Sequence, residues 1–317
     1  MAVPYFIPVA TPLRRAGALF GATAALLGLL VAGARPWYST WGASAEEQRA
    51  RPEVAVSRGL QLQEVRTVPV QAPAEQVFPW LAQLGQDRAG FYSYDLLENL
   101  VGCRMPRIER LDPSLQHWSI GDRLWMYPQD ELGGAGYARL VEYRPGSALV
   151  FETRAPGAGA DAPASGLWSL EVRATGPGSS RLIASSFGSS PTSLLGAVFN
   201  RAVFEPMHFA MERRMLKGIA GLAEGAPISA ASDAVMLGLW ALTLTVFITS
   251  ALLVLLGWRW RLRLLTLVLV GLAFQVLTLE QPSLWIGVPL VAGLLLLLAW
   301  APRRASGDQL RQLAPVI

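Results

Sequence analysis

Cysteine and histidine are almost absent from this chain. Among 317 residues there is one cysteine, Cys103, and there are two histidines, His117 and His208. A single cysteine can form neither an internal disulfide nor a thiolate metal cluster. Two imidazoles are too few for a multi-histidine metal site. We therefore predict that the protein binds no metal and no cofactor, and that its core is large enough to fold without disulfides.

The sequence motifs of several enzyme classes are also missing. There is no Gly-x-Ser-x-Gly elbow, no phosphate-binding P-loop and no dinucleotide fingerprint. The glycine-rich stretch Gly133-Gly134-Ala135-Gly136 has no helix pattern after it, so it predicts a hairpin turn. Carboxylates pair only as sequence neighbours, as in Glu46-Glu47 and Asp130-Glu131. These absences favour a protein without catalytic activity.

The positive charge of the chain is not spread evenly. The formal net charge is +4, yet residues 35–232 carry 19 basic against 20 acidic side chains. The excess therefore lies in the flanking regions, and no basic stripe with interleaved aromatic residues occurs between them. We predict no nucleic-acid partner. Lys217 is the only lysine among the basic residues, which is typical of a GC-rich bacterial genome.

Four apolar segments, 17–34, 234–257, 264–280 and 283–301, predict transmembrane helices. A helix needs about 20 apolar residues to cross the hydrocarbon layer. The third segment is short, and Pro289 lies inside the fourth, but both features are tolerated in membranes. The remaining parts are a cytoplasmic N-terminus (1–16), a linker (35–59), a folded domain (60–226) and a cytoplasmic tail (302–317). Burial of these helices in a large soluble core is the alternative.

The arginines around these segments predict their orientation, because short loops rich in Arg and Lys stay cytoplasmic. The groups of two or three arginines next to these segments fall on one side: Arg14, Arg15, Arg259, Arg261, Arg263, Arg303 and Arg304. We therefore expect a multi-pass protein of the bacterial cytoplasmic membrane, with both termini inside and the domain outside. Trp37, Tyr38 and Trp41 would form an outer aromatic belt. As an alternative for the first segment, Ala32-Gly33-Ala34 resembles a signal-peptide cleavage site.

The sequence pattern of the domain predicts an α+β fold. A strand at 61–70 precedes a helix that opens at Ala72-Pro73-Ala74-Glu75, then a loop at 86–95 and a short helix through Leu100. Five strand patterns follow at 122–128, 136–144, 147–154, 166–174 and 180–187, separated by turn signals. The domain closes with helices over 193–204 and from Pro206 to about Glu224. The last of these has one apolar face, with Arg213, Lys217 and Glu224 opposite.

This order resembles the START-like superfamily (SRPBCC, polyketide cyclase/dehydrase and lipid transport), in a membrane-anchored bacterial form. The resemblance covers residues 60–224 and is carried by the stretches 68–81, 85–102 and 211–216. It implies a helix-grip fold, in which a curved antiparallel sheet surrounds the long C-terminal helix and leaves an apolar cavity. Members bind lipids, sterols or polyketides, and a minority catalyse cyclisation or dehydration. The superfamily has no shared catalytic set, so none is carried over.

The long helix supplies one group of candidate cavity residues. Its apolar face carries Phe204, Met207, His208, Met211 and Met215. Methionine is flexible and polarizable, which suits irregular apolar ligands, although the same residues could be ordinary core. His208 could orient a ligand or act as a base near neutral pH, or it could be a buried histidine satisfied by a neighbour.

The loop after the first domain helix supplies the second group: Asp87, Arg88, Tyr92, Tyr94 and Glu98. We expect an ion pair between Asp87 and Arg88 that fixes the loop. Tyrosines with apolar rings and polar tips suit the mouth of a cavity. The alternative is a loop held together by its own polar contacts.

Three functions remain open on the sequence. The first is a membrane-anchored, non-catalytic protein that binds a lipid or another hydrophobic small molecule in the cavity. The second is an enzyme of the polyketide cyclase/dehydrase type that acts on an apolar substrate. The third is an interaction or sensory module for which the three C-terminal helices, almost free of ionisable groups, form an anchor or docking surface.

Overall fold

The computed structural model describes residues 10–154, 165–188, 193–256 and 260–303. The predicted N-terminus up to residue 9, Arg259, the segment 155–164 and the tail from Arg304 lie outside the described residues. The chain divides into two compact units. One is the α+β unit, Arg35–Ala230, and the other contains the apolar helices that precede and follow it.

The described elements are ten α-helices and six strands. The helices are α1 (Ala10–Gly28), α2 (Arg35–Tyr38), α3 (Glu53–Ser57), α4 (Ala74–Ala82), α5 (Asp95–Leu100), α6 (Leu194–Phe199), α7 (Glu205–Ala223), α8 (Ala230–Leu256), α9 (Trp260–Leu279) and α10 (Leu284–Arg303). The strands are β1 (Gln61–Val70), β2 (Arg123–Trp125), β3 (Tyr137–Arg144), β4 (Ala148–Thr153), β5 (Gly166–Gly176) and β6 (Ser179–Gly188). Two π-helices, Leu29–Ala34 and Asn200–Phe204, follow α1 and α6 without a break.

The six strands form one curved antiparallel sheet in the order β1-β6-β5-β4-β3-β2. This confirms the predicted α+β fold, with six strands in the predicted chain order. β2 is shorter than predicted because the N–H groups of Met126 and Tyr127 both donate to the Gly136 carbonyl, which ends the regular ladder after Trp125. β1, the first strand in the chain, pairs with β6, the last one. The pairing runs from Gln61 opposite Gly188 to Val70 opposite Ser180.

Both faces of the sheet are covered, since successive side chains on a strand point to opposite faces. On the inner face Trp168, Leu170 and Val172 of β5 join the main core with α4 and α7. On the outer face Leu167 and Phe187 contact Ala55 of α3 in a smaller core. The sheet therefore carries a large core on one face and a small one on the other.

Residues 35–59, which the sequence analysis treats as a linker, belong to the α+β unit. The carbonyls of Ser39 and Trp41 accept hydrogen bonds from the N–H groups of Val65 and Thr67, at 2.8 and 2.9 Å. These bonds occupy the free edge of β1, which would otherwise offer unpaired backbone groups to another strand. Tyr38 is fully buried and stacks on Phe209, so it does not contribute to an aromatic belt.

Helix α7 is buried on more sides than its sequence predicts. Arg213 was expected on a polar face, but it is buried and its guanidinium lies 4.6 Å from the ring centroid of Trp41. The reason is the segment 37–41, whose aromatic side chains cover the side of α7 that faces away from the sheet. A sequence pattern shows the apolar stripe of a helix but does not show a second layer that comes from elsewhere in the chain.

Within the described residues, three helices are long and apolar enough to cross a membrane: Pro12–Tyr38, Ala230–Leu256 and Trp260–Leu279. The fourth predicted segment is helical, but its apolar part, Leu284–Ala299, is shorter. α1 packs closely on α9 at Gly271, where a Cβ atom would lie 2.5 Å from Leu26 Cδ1. One turn further along, Gln275 Nε2 donates a 2.9 Å hydrogen bond to the Leu26 carbonyl.

Candidate binding site at the start of helix α7

A buried cluster of charged side chains lies between β1 and α7. The register of β1 against β6 shifts between Leu62 and Glu64, which is the mark of a β-bulge. After this shift Glu64 and Arg66 both contact α7, where Glu212 and His208 lie one helical turn apart. The bulge therefore gives an otherwise apolar strand two charged side chains on its buried face.

Arg66 is the centre of the cluster and is fully buried. Its Nη2 lies 2.7 Å from Glu64 Oε1, and its Nη1 donates to Glu212 Oε2, also at 2.7 Å. Its Nε donates to the Tyr38 carbonyl at 3.1 Å, and Trp168 Nε1 donates to the other oxygen of Glu212 at 2.8 Å. Buried charges are tolerated when they are paired and hydrogen-bonded in this way.

His208 is the member of the cluster nearest the surface, with 28% of its side chain exposed. Its Nδ1 lies 3.2 Å from Glu64 Oε2, and its Nε2 lies 3.8 Å from Glu212 Oε1, beyond hydrogen-bond distance. Its ring is parallel to that of Phe204, with centroids 5.7 Å apart. Glu64 thus orients the imidazole and leaves Nε2 available to another group.

The carboxylates change the acid–base behaviour of this histidine. Burial by itself lowers the pKa of His208, but the charges of Glu212 and Glu64 outweigh it, and the pKa is raised above its ordinary value. Burial likewise acts to raise the pKa of Glu64. The hydrogen bond with His208 and the charge of Arg66 outweigh that effect, so the pKa of Glu64 is lowered. Both shifts favour the ionised pair.

Glu205 and Phe209, close to His208 in sequence on α7, take part in a second ion pair and an aromatic pair. Arg35 Nε donates to Glu205 Oε2 at 2.6 Å, and Asn200 Nδ2 donates to the other oxygen of Glu205 at 2.8 Å. Trp37 packs edge-on against Phe209, with ring centroids 5.5 Å apart. The π-helix Asn200–Phe204 ends at this point, and π-helical turns recur at functional sites.

The three predicted methionines of α7 do not share one environment. Met215 is buried in the main core, whereas Met207 is exposed. Met211 is half-buried, and its carbonyl accepts a 2.8 Å hydrogen bond from Ser93 Oγ. Of the predicted helix residues, His208 belongs to the charged cluster and Phe204 stacks on it.

The predicted loop residues are placed apart from that cluster. Tyr92 is buried, its hydroxyl accepts a 2.6 Å hydrogen bond from Gln83 Nε2, and burial raises its pKa. Tyr94 is also buried, with the Arg214 guanidinium 5.9 Å from its ring centroid. Both tyrosines are therefore part of the packed interior and do not form a cavity mouth.

Asp87 and Arg88 do not form the expected contact. Arg88 lies 4.3 Å from the ring centroid of Trp118 and donates to the carbonyls of Ala82 and Leu115. Asp87 is exposed and contacts Gln129 Nε2 at 3.5 Å. The loop is held by hydrogen bonds from Arg88 to backbone carbonyls, because its carbonyls are buried and need donors.

Glu98 lies on α5, separate from the residues described above. Burial and the nearby charge of Asp95 raise the pKa of its carboxyl group to about 7. Within the described residues its Oε2 is buried and has no hydrogen-bond partner. Its charge, together with burial as the larger cause, raises the pKa of the Cys103 thiol to about 11. No described hydrogen bond or ion pair joins Glu98 to His208 or Asp87.

The central residues of the cluster, Glu64, Arg66, Glu212 and Trp168, are not among the predicted site residues. Two signals in the sequence could have indicated them. Glu64 and Arg66 are two residues apart in an otherwise apolar strand, so they share one face. Glu212 follows His208 by four residues, so the two are neighbours on the helix surface.

A groove of about 380 Å³ lies elsewhere, on the outer face of the sheet. Glu142, Arg144, Glu171 and Arg173 form ion pairs along it, and Ile183 and Phe187 lie beneath. On the inner face, by contrast, the space between sheet and helices is filled by large side chains such as Trp168, Phe151 and Trp118.

Comparison with known proteins adds little. No protein-family model matches the chain, and no curated protein matches it. It is similar to a crystal structure of protein MLL2253 from Mesorhizobium loti, with 12% sequence identity over 52% of this chain and all of that one. The TM-score is 0.28, which is too low to support an argument about fold or function.

Proposed function

We propose that this protein is a membrane-anchored binder of a lipid or another hydrophobic molecule, and that the ligand binds at the start of α7 without being chemically changed. The observation that carries the proposal is the partly exposed imidazole of His208, which Glu64 orients and which Phe204 covers on one side. Small-molecule sites typically combine aromatic walls with a few oriented polar groups. Phe204 and His208 offer this combination.

The charges near His208 indicate the polar end of the ligand. Three carboxylates (Glu64, Glu205, Glu212) face two guanidinium groups (Arg35, Arg66). The net charge of these five groups is therefore −1, or zero when His208 is protonated. Each of the two guanidinium groups is already paired with a carboxylate, whereas a hydroxyl group could accept a hydrogen bond from the protonated Nε2 of His208. We propose a ligand with a neutral hydroxyl head group and an apolar body.

The fold supports a helix-grip domain of the START-like kind. Six antiparallel strands curve past α7, which packs on their inner face with α4. Because that face is filled by large side chains, the proposed ligand lies at the rim near Phe204 and His208. The resemblance implies a deeper cavity along the helix, so the site that we propose is shallower.

For the membrane part we propose four spans, with both termini cytoplasmic and the α+β unit outside. The distribution of arginines supports this orientation. The packing of α1 on α9 at Gly271 and Gln275 supports a retained first helix over a cleaved signal peptide.

The proposal is tested with the full chain, purified in detergent, stripped of lipid and exposed to dodecylamine, dodecanol and dodecanoate as probes. We expect the alcohol, which can accept a hydrogen bond from His208, to bind more tightly than the amine and the carboxylate, measured by native mass spectrometry. His208→Gln should weaken binding about tenfold, which corresponds to one hydrogen bond to a charged group. Phe204→Ala should weaken it as well.

Leu100→Gln, at an exposed apolar position on α5, is the matched control and should bind as the parent does. The proposal fails if no probe binds, or if His208→Gln, Phe204→Ala and Leu100→Gln all bind equally. The mass of the recovered ligand distinguishes binding from catalysis. A histidine whose Nδ1 contacts a carboxylate and whose Nε2 has no described hydrogen bond is also suited to proton transfer. If the ligand is recovered with a changed mass, the protein is an enzyme and the binding proposal is wrong.

A further inference from the structure

The segment before α7 exposes a continuous apolar surface. Between residues 193 and 208, six large apolar side chains are 48 to 83% exposed: Leu194, Leu195, Val198, Phe199, Val203 and Met207. Leu195, Phe199, Val203 and Met207 follow one another at intervals of four residues, so they lie along one side of the helix. We call this surface the 194–207 stripe. Contiguous exposed apolar surface of this kind marks an interaction site.

Polar side chains order the same segment. Ser193 caps the start of α6 by accepting a hydrogen bond from the Gly196 N–H group. Asn200 Nδ2 donates to Glu205, as described above. Arg201, between Phe199 and Val203, is exposed. The segment thus combines an exposed apolar stripe with an exposed cation.

The position of the helix indicates what covers the stripe. Its C-terminal end is joined to Arg35 through Glu205, at 2.6 Å. Arg35 lies in the last turn of the apolar helix Pro12–Tyr38, at the point where the chain leaves the first candidate span. An apolar surface tied to the end of a membrane span lies within reach of the lipid head groups.

The length of the segment separates lying on a membrane from crossing one. Residues 194–207 extend for roughly 20 Å at 1.5 Å per residue. A membrane-spanning helix needs about 30 Å. Helices that are too short to span but have one apolar face and a cationic residue lie in the plane of the interface.

We infer that the 194–207 stripe inserts into the head-group and acyl boundary of the bilayer, with Phe199 and Val203 in the lipid and Arg201 among the phosphates. The occupant of this surface is the lipid bilayer itself. The inference does not depend on the proposed ligand, because it concerns a membrane contact of the outer helix and not a molecule held at His208. It gives the α+β unit a second attachment beyond the peptide chain.

The test uses the full chain in vesicles of phosphatidylethanolamine and phosphatidylglycerol. In a Cys103→Ser background, Phe199→Cys and Leu195→Cys are labelled with a nitroxide, and Leu100→Cys is the matched control on α5. Leu100 is 81% exposed, as is Leu195, but it belongs to another part of the α+β unit. Collision with oxygen, which concentrates in lipid, is compared with collision with a water-soluble nickel complex.

We expect the labels at residues 195 and 199 to collide with oxygen several times more often than with the nickel complex, and the label at residue 100 to show the reverse. Detergent removal of the lipid should abolish the difference. If the labels at 195 and 199 match the label at 100, the stripe faces water and the inference is overturned. Protection from both reagents would also overturn it, since a protein surface would then cover the stripe. Dodecanol binding is measured on the same samples, so the two proposals can fail separately.

Discussion

Helices α7 and α8 place their side chains in opposite ways. α7 buries four charged residues, Glu205, Glu212, Arg213 and Arg214, and exposes few apolar ones. α8 exposes Leu244, Ile248 and Leu252, while it fully buries Thr243 and Ser250. A helix in water gains stability by burying apolar groups, whereas a helix in lipid gains nothing from it. The apolar exterior of α8, with Thr243 and Ser250 among its buried residues, is therefore typical of a membrane helix.

The same comparison explains how each helix satisfies its buried polar groups. In α7 the charged side chains find partners on β1, β5 and the segment 37–41, so the cost of removing them from water is offset by ion pairs. In α8 the buried Thr243 hydroxyl donates to the Leu239 carbonyl of its own helix at 2.6 Å. One helix depends on the tertiary structure, and the other satisfies its polar group locally.

The largest effect should come from Arg66→Met. This change leaves Glu64 and Glu212 buried without their shared cation, so we expect the free energy of unfolding to fall by about 3 to 5 kcal/mol. Thermal unfolding of the full chain in detergent measures it. Arg58→Met is the control, because the ion pair of Arg58 with Glu152 is solvent-exposed and should contribute at most about 1 kcal/mol. Equal losses in the two variants would show that the cluster is not buried as described.

Ile248→Asp tests the environment of α8. If the exposed side of α8 faces lipid, a carboxylate there should oppose membrane integration by about 2.5 to 3.5 kcal/mol. If that side faces water, the change should be nearly neutral, as we expect for Leu100→Asp on α5. Integration of α8 into microsomal membranes can be scored with a glycosylation reporter. Normal integration of the aspartate variant would contradict a membrane role for α8.

His208 should make the stability of the α+β unit depend on pH. Its pKa in the folded protein is raised above about 6.5, so its stabilising contribution is complete below that pH and is lost as the pH rises through the folded value. We expect His208→Gln to lower the free energy of unfolding by about 1.5 kcal/mol in mild acid and by progressively less as the pH rises. Chemical unfolding of both proteins at a series of pH values measures the difference.

Glu64 provides the matched variant for this pH dependence. Its folded pKa is lowered, so its own contribution is present above about pH 4.5 and is lost as the pH falls through the folded value. In a Glu64→Gln background, His208→Gln should lower the free energy of unfolding by less, since the partner of Nδ1 has lost its charge. If the loss caused by His208→Gln instead grows as the pH rises, His208 and Glu64 do not form an ionised pair.

The smallest effect should come from Gln275→Leu in α9. This change removes the hydrogen bond to the Leu26 carbonyl, and such bonds between membrane helices contribute about 0.6 kcal/mol on average. Unfolding in mixed micelles compares it with Val276→Leu, an exposed neighbour. If Gln275→Leu lowers the free energy of unfolding as much as Arg66→Met does, the apolar unit depends on polar contacts to the same extent as the α+β unit.

Much of the α+β unit could be predicted because its signals are local. The alternation of apolar residues in 61–70 and the proline and glutamate before Val77 mark a strand and a helix whose bounds agree with the structure. The predicted site agrees less well. Tyr92 and Tyr94 carry the composition of a cavity mouth but are buried, because residues of α4 and α7 close over them.

The sequence by itself determined the six strands, the long closing helix and the apolar segments, since each depends on a periodicity or a length that neighbouring residues define. Only the tertiary structure decided which charged side chains are buried together. Glu64 and Arg66 meet His208 and Glu212 more than 140 positions along the chain because a bulge turns β1 and the sheet brings that strand against α7. Contacts at that separation leave no pattern in either segment alone, and the site depends on them.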